Sequence, residues 1–211
     1  MARLTDLTLI DLLSAFQSSE PTPGGGSAAA LSGAVGASLL VMVGGLPRPR
    51  ATSEEDLERL QAARTQCVHL SERLTVLVDR DSEAYQLVVA AYRLPRTSDD
   101  EKKARTEAIQ QALRAAIDAP LDVMRACADA AEQGVVVADL GNRNAASDVQ
   151  VALEVLLAGL RGARLNVEIN LGMVKDAAYV AAVGEELSRL TAAAEREAAS
   201  AREKARSDLV Q

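Results

Sequence analysis

The chain has 211 residues, 25% of them charged and 48% hydrophobic, with a net charge of −7. That is a globular balance, and the acidic excess argues against a general nucleic-acid or acidic-membrane binder, which needs a basic face. Aromatics make up only 2% and Trp is absent; an alanine-rich chain of this kind favours closely packed helices over a β-sandwich.

Cys67 and Cys127 form no close-spaced motif, and the chain has one histidine. No His/Cys zinc set is therefore expected, and the cysteines read as free thiols of a cytoplasmic protein. The N-terminus lacks the apolar core of a signal peptide.

In chain order, residues Thr5 to Phe16 read as a short amphipathic helix, with Leu9, Leu12, Leu13 and Phe16 on one side. Pro21-Thr22-Pro23-Gly24-Gly25-Gly26-Ser27 follows. The prolines stiffen it, and the glycines let backbone approach a neighbour or a ligand. Ser27 is placed to cap a helix over Ala28 to Leu46, whose first-turn N–H groups suit an anion or a developing negative charge. A plain turn before a buried helix fits the same residues. The helix is long enough to raise the question of a membrane span. Ser32, Gly33, Gly36, Ser38, Gly44 and Gly45 dilute it, so it reads as a buried, crowded helix. Pro47-Arg48-Pro49-Arg50 is a stiff basic turn.

Ser53 and Asp56 resemble a capping box, and helical periodicity then runs to about Arg93, on the order of 60 Å at ~1.5 Å per residue. Leu94-Pro95 ends it. Ser98-Asp99-Asp100-Glu101 opens a helix expected to reach about Gln133 and to kink or split at Pro120. Gly141 to Asn144 is a polar turn. A helix spans Ser147 to Asn170, and a last one starts near Asp176. With no sustained strand alternation and no repeat, the expected fold is all-α: a single-domain multihelical bundle over residues 1–211, with one long central helix.

Polar residues on apolar stripes are the informative ones. Leu70, Leu74, Leu77, Asp81, Tyr85 and Val88 share one helix face. Asp81 therefore points where the leucines point, while Asp79 falls on the polar face. A carboxylate on an apolar face tends to a raised pKa, which suits proton transfer. A structural aspartate that caps a helix or pairs with an arginine fits equally. On the Ser147 helix, Asp148, Ala152, Val155, Gly159, Gly162, Asn166 and Asn170 form a second stripe with a bulk-free middle. A flat heterocycle or another helix could occupy that slot. Asn166 and Asn170 could read a heterocycle edge, or bond across a helix crossing. His69 reads as a surface residue.

Several blocks taken together resemble the folate cyclodeaminase/cyclohydrolase family. They are Pro21 to Ala30 with Met42-Val43, Leu77 to Tyr85, Tyr92 to Pro95, Asp100 to Lys103, Ala119 to Leu121, Gly141-Asn142, Ser147 to Ala152, and Leu165 to Asn170, all in family order. The resemblance implies an all-helical, usually dimeric enzyme that binds a reduced folate. It implies a catalytic aspartate in the Asp-x-Asp-x-x-Ala-aromatic block, by position Asp81. Pro23, Gly24, Gly25, Gly26 and Ser27 would line the site, with Asp148, Asn166 and Asn170 opposite. No metal and no cofactor beyond the tetrahydrofolate substrate are implied, and neither nucleic acid nor membrane is an expected partner.

The implied reaction is hydrolysis of 5,10-methenyltetrahydrofolate to 10-formyltetrahydrofolate. The alternative is closure of 5-formimidoyltetrahydrofolate with release of ammonia. One departure stands out: Pro47 and Pro49 replace the threonine and glycine of the family's turn, while Arg48 and Arg50 keep positive charge that could attract a folate glutamate tail. A non-catalytic helical folate-binding protein is the further alternative.

Overall fold

A computed structural model of the chain describes residues 3–47 and 53–207. Arg48 and Arg50 lie outside the described residues. After a 3-10 turn at Leu4–Asp6 come six helices: α1 (Leu9–Phe16), α2 (Gly25–Gly45), α3 (Glu54–Tyr92), α4 (Asp99–Leu140), α5 (Ala146–Leu171) and α6 (Ala177–Ser207). A second 3-10 turn, Arg143–Ala145, precedes α5. No strand occurs among the described residues, so the fold is all-α as expected.

Local chemistry starts the helices where the sequence indicates. The Ser53 hydroxyl accepts from the Asp56 N–H at 3.1 Å. The Asp56 carboxylate accepts in return from the Ser53 hydroxyl rather than from its backbone N–H, so the motif is a variant of the capping box. Ser98 and Glu101 form the reciprocal box in full. Asp176 accepts from the N–H groups of Ala178 and Tyr179 and so starts α6.

Helix α2 is central. It packs chiefly against α3 and α5, and α4 lies behind it, touching α3, α5 and α6 as well. By length and composition α2 could cross a membrane; in the fold it buries Leu40 and Val43 against Leu74, Met124, Leu153 and Leu156. Small residues set how near its neighbours come. A Cβ on Gly36 would lie 2.6 Å from Leu156 Cγ and 2.8 Å from the Ala152 carbonyl oxygen. A Cβ on Gly159 would lie 2.7 Å from the Ala29 carbonyl oxygen and 3.0 Å from the Gly33 nitrogen. The bulk-free middle of α5 is therefore filled by α2 itself. Of the two occupants the sequence allowed, the helix is present and no heterocycle slot remains there.

Helix α4 departs from expectation twice. It runs past Gln133 to Leu140, because Gly134 packs against Leu153 and Leu40 inside the core rather than ending the helix. It also continues unbroken through Pro120. Proline has no N–H, so the carbonyl four residues back, on Ala116, loses its helical partner. The Asn170 side chain of α5 donates to that carbonyl at 3.2 Å. The neighbouring helix thus makes good the bond that Pro120 removes.

Candidate active site

The buried stripe of α3 (Leu70, Leu74, Leu77) leaves the core at Asp81. One turn on, Tyr85 is 41% exposed, and burial shifts to Ala84 and Ala91. Asp81 faces the first turn of α2, where its Oδ2 accepts from the Ser27 N–H at 3.1 Å. The Ser27 hydroxyl donates to the Val78 carbonyl at 2.7 Å. With its one proton committed there, it accepts from the Ser82 hydroxyl at 3.3 Å.

Ser27 is fully buried, and it is not the cap of α2: the helix begins two residues earlier, with Gly24 at the cap position and no side-chain cap bond. Asp81 supplies that bond from α3 instead. Capping, one of the roles open to Asp81, is thus present. The other survives beside it: burial pushes the Asp81 carboxyl above its ordinary value and outweighs the bonds from Ser27, which pull it down.

The first turn of α2 is only partly satisfied. The Ser27 N–H goes to Asp81, and the Ala28 N–H closes on the Gly24 carbonyl. The N–H groups of Gly25 and Gly26 have no protein acceptor among the described residues. Gly25 lies against Asn166 of α5: a Cβ on it would stand 3.4 Å from Asn166 Nδ2. Asn166 and Asn170 each donate Nδ2 one turn back along α5, to Gly162 and Asn166 respectively, at 2.9 Å in both cases. The Asn170 side-chain amide donates a hydrogen bond to the Ala116 carbonyl of another helix, one of the two roles open to it. As oriented, both amide oxygens are left as acceptors.

Pro23 lines a cleft of about 480 Å³ with Thr22, Asp79, Ser82 and Gln86, a volume within the range of small-molecule sites. A second cleft, of about 550 Å³, runs along another flank of α3 past Arg80, Ala84 and Ala119.

Gly24 to Ser27, Asp81, Asn166 and Asn170 are therefore brought to one end of the bundle. Asp148 is not. It stands in the first turn of α5, roughly 27 Å along the axis from Asn166 at ~1.5 Å per residue, beyond the point where Ala152 and Leu156 meet Gly36 of α2. A shared face does not bring the ends of a long helix together. Pro47, next to the basic turn, lies just past the far end of α2, where its carbonyl accepts from Asn142 Nδ2 at 2.5 Å.

Sequence reasoning missed Ser82, which hides among polar surface residues of α3. It also missed the work of Asp79, whose carboxylate accepts from the Leu4 N–H at 2.5 Å and the Thr5 hydroxyl at 2.8 Å and so anchors the N-terminal segment beside the cleft. His69 is on the surface, 3.7 Å from the Glu72 carboxylate. Burial pushes the Cys67 and Cys127 thiols up to about 12, which leaves them protonated and unreactive.

The fold and site together define a multihelical protein that holds a burial-raised carboxyl beside free backbone N–H groups and amide oxygens, a set suited to proton transfer. Comparison with known proteins places this fold in a family. The sequence profile of the formiminotransferase-cyclodeaminase family matches residues 8–189. The chain is 40% identical over 187 residues to the methenyltetrahydrofolate cyclohydrolase of Methylorubrum extorquens, covering 89% of this chain and 90% of that one. It is 36% identical over 181 residues to the formimidoyltransferase-cyclodeaminase of Sus scrofa, covering 84% of this chain but 33% of that longer protein. The crystal structure of formiminotetrahydrofolate cyclodeaminase from Thermotoga maritima superposes with a TM-score of 0.86 at 27% identity, over 99% of this chain and all of that one. The chain belongs to the formiminotransferase-cyclodeaminase family.

Proposed function

We propose that the protein is a methenyltetrahydrofolate cyclohydrolase whose proton-transfer group is Asp81. The observation that carries this reading is the Asp81 carboxyl, raised by burial yet only half-buried, at the N-terminus of α2. The substrate is a cation whose positive charge is shared over N5, N10 and the carbon between them. Ionised Asp81 takes a proton from water as the oxygen bonds to that carbon, giving a tetrahedral adduct. The proton then passes to N5 as the bond between carbon and N5 breaks, and 10-formyltetrahydrofolate leaves with a net release of one proton. The free N–H groups of Gly25 and Gly26 suit the oxygen as it gains charge. The amide oxygens of Asn166 and Asn170 suit the N–H donors of a pterin edge. This reading needs no metal and no second cofactor, because the substrate is already electrophilic.

The similarity over nearly the full length of a cyclohydrolase supports this assignment. The likeness to the Thermotoga maritima structure favours a second reading, closure of 5-formimidoyltetrahydrofolate with loss of ammonia, through a tetrahedral carbon of the same kind. Purified protein tested with both substrates separates them: decay of methenyl absorbance above the buffer rate marks the first, and ammonia release the second. No turnover of either, with folate still bound, refutes both.

The reading includes a cytoplasmic homodimer. Helix α2 is apolar all round, yet Val35 is 47% and Met42 43% exposed. Leu165 and Ile169 of α5 are exposed as well, Ile169 by 70%. Helices of this composition are ordinarily covered, and a second copy laid on the outer face of α2 and α5 would cover them.

A further inference from the structure

We propose that Gly26 is a positioning residue for Asp81: its missing side chain is the space in which the carboxyl group sits. The inference rests on the reading of Asp81 as the proton-transfer group. The three consecutive glycines differ sharply in what surrounds them. A Cβ on Gly24 would meet only the Pro21 carbonyl oxygen, at 3.6 Å, and one on Gly25 would meet Asn166 at 3.4 Å; both are ordinary contacts. A Cβ on Gly26 would lie 2.6 Å from Asp81 Oδ2 and closer still to Oδ1 and Cγ.

Backbone freedom is not the reason for glycine here, since no glycine among the described residues has positive φ. Nor can α2 move aside. The Ser27 bond to Val78 pins the same turn onto α3 one residue further on, and the Gly33 and Gly36 contacts hold the rest of the helix. A side chain at residue 26 therefore expels the carboxyl group, breaks its bond to the Ser27 N–H, and takes it from the place where its proton is exchanged. The missing side chain of Gly26 serves the acid, while its backbone N–H stays available to the reacting oxygen.

The test combines stability and kinetics. Thermal midpoints of wild type, Gly26→Ala, Asp81→Ala and the double variant form a cycle that needs no activity. Gly26→Ala lowers the midpoint in the wild-type background and leaves it unchanged or raised in the Asp81→Ala background, where the clashing group is gone. Should Gly26→Ala alone fail to fold, a folded double variant supports the proposal equally. In methenyltetrahydrofolate turnover, Gly26→Ala lowers kcat by about 10–100-fold, as misplacement of a reacting group does, with KM nearly unchanged.

An equal loss of midpoint in both backgrounds, or a double variant that fails to fold, overturns the proposal. So does a raised KM with kcat intact, which would mean that the space left by the Gly26 side chain is filled by substrate and not by the carboxyl group. Asp81→Asn separates the two readings: if it keeps full activity, the catalytic assignment fails, while the stability cycle still decides whether Gly26 seats the carboxyl group.

Discussion

Replacing Asn170 with alanine isolates the bond that lets α4 run through Pro120. In the wild type, Asn170 Nδ2 donates to the Ala116 carbonyl at 3.2 Å, and Ala116 is buried. Removing the donor leaves a buried carbonyl without its helical partner, because residue 120 cannot supply an N–H. An unsatisfied buried polar group costs about 1–3 kcal/mol. At roughly 2–4 °C per kcal/mol for a chain of this size, a central loss of about 2 kcal/mol lowers the thermal midpoint by about 4–8 °C. In a Pro120→Ala background the N–H gained at residue 120 closes the ordinary helical bond to Ala116, and the same Asn170→Ala change should cost less than about 0.5 kcal/mol. Circular dichroism melts of the four proteins, at one protein concentration, measure the coupling. Equal losses in both backgrounds would refute the account, because Asn170 would then stabilise the fold by some route other than the carbonyl that Pro120 frees.

Two alanine substitutions of glycine should have opposite signs. Gly159→Ala gains about 1 kcal/mol of helix propensity but forces a Cβ against the Ala29 and Gly33 backbone; overpacking of about 1–3 kcal/mol makes it net destabilising in thermal melts. Gly184→Ala, with nothing within 4 Å of the new Cβ, should raise the midpoint. Asp81→Asn should abolish turnover without lowering the midpoint at neutral pH. The folded state holds the Asp81 proton to higher pH than the unfolded chain does, so stability falls as pH rises from the ordinary carboxylate range through the raised value; asparagine avoids that loss. A fall in the neutral-pH midpoint would mark Asp81 as a helix cap alone. The acid limb of the kcat profile should lie above the ordinary aspartate value, because base catalysis requires the ionised form, and it should vanish in any residual activity of Asp81→Asn. Glu186→Gln should cost about 1 kcal/mol, because it cuts the two-pronged bond from Arg125 that ties α4 to α6. The Arg125 bonds depress the Glu186 carboxyl, so this contribution is present above the ordinary glutamate range and disappears from acid melts as pH falls through the depressed value.

The sequence by itself determined the helices and most of their ends. The hydroxyl caps of Ser53 and Ser98, the missing strand alternation and the ordered family blocks required no three-dimensional information. It also set Asp81 on the leucine face of α3 and Asp79 off it, because a period of 3.6 residues fixes which way a side chain points around its own helix axis. Periodicity carries no information on height along that axis, nor on which helix lies opposite, and the tertiary structure decided both. It put α2 in the groove of small residues on α5. It set Asp148 at the far end from Asn166, and it brought Asn170 to the carbonyl that Pro120 leaves free. It also separated three glycines that read alike: only Gly26 faces the carboxyl group of Asp81, because α2 and α3 pack side by side in a register that sets Gly26 opposite Asp81, Gly33 opposite Leu74 and Gly45 opposite Arg64.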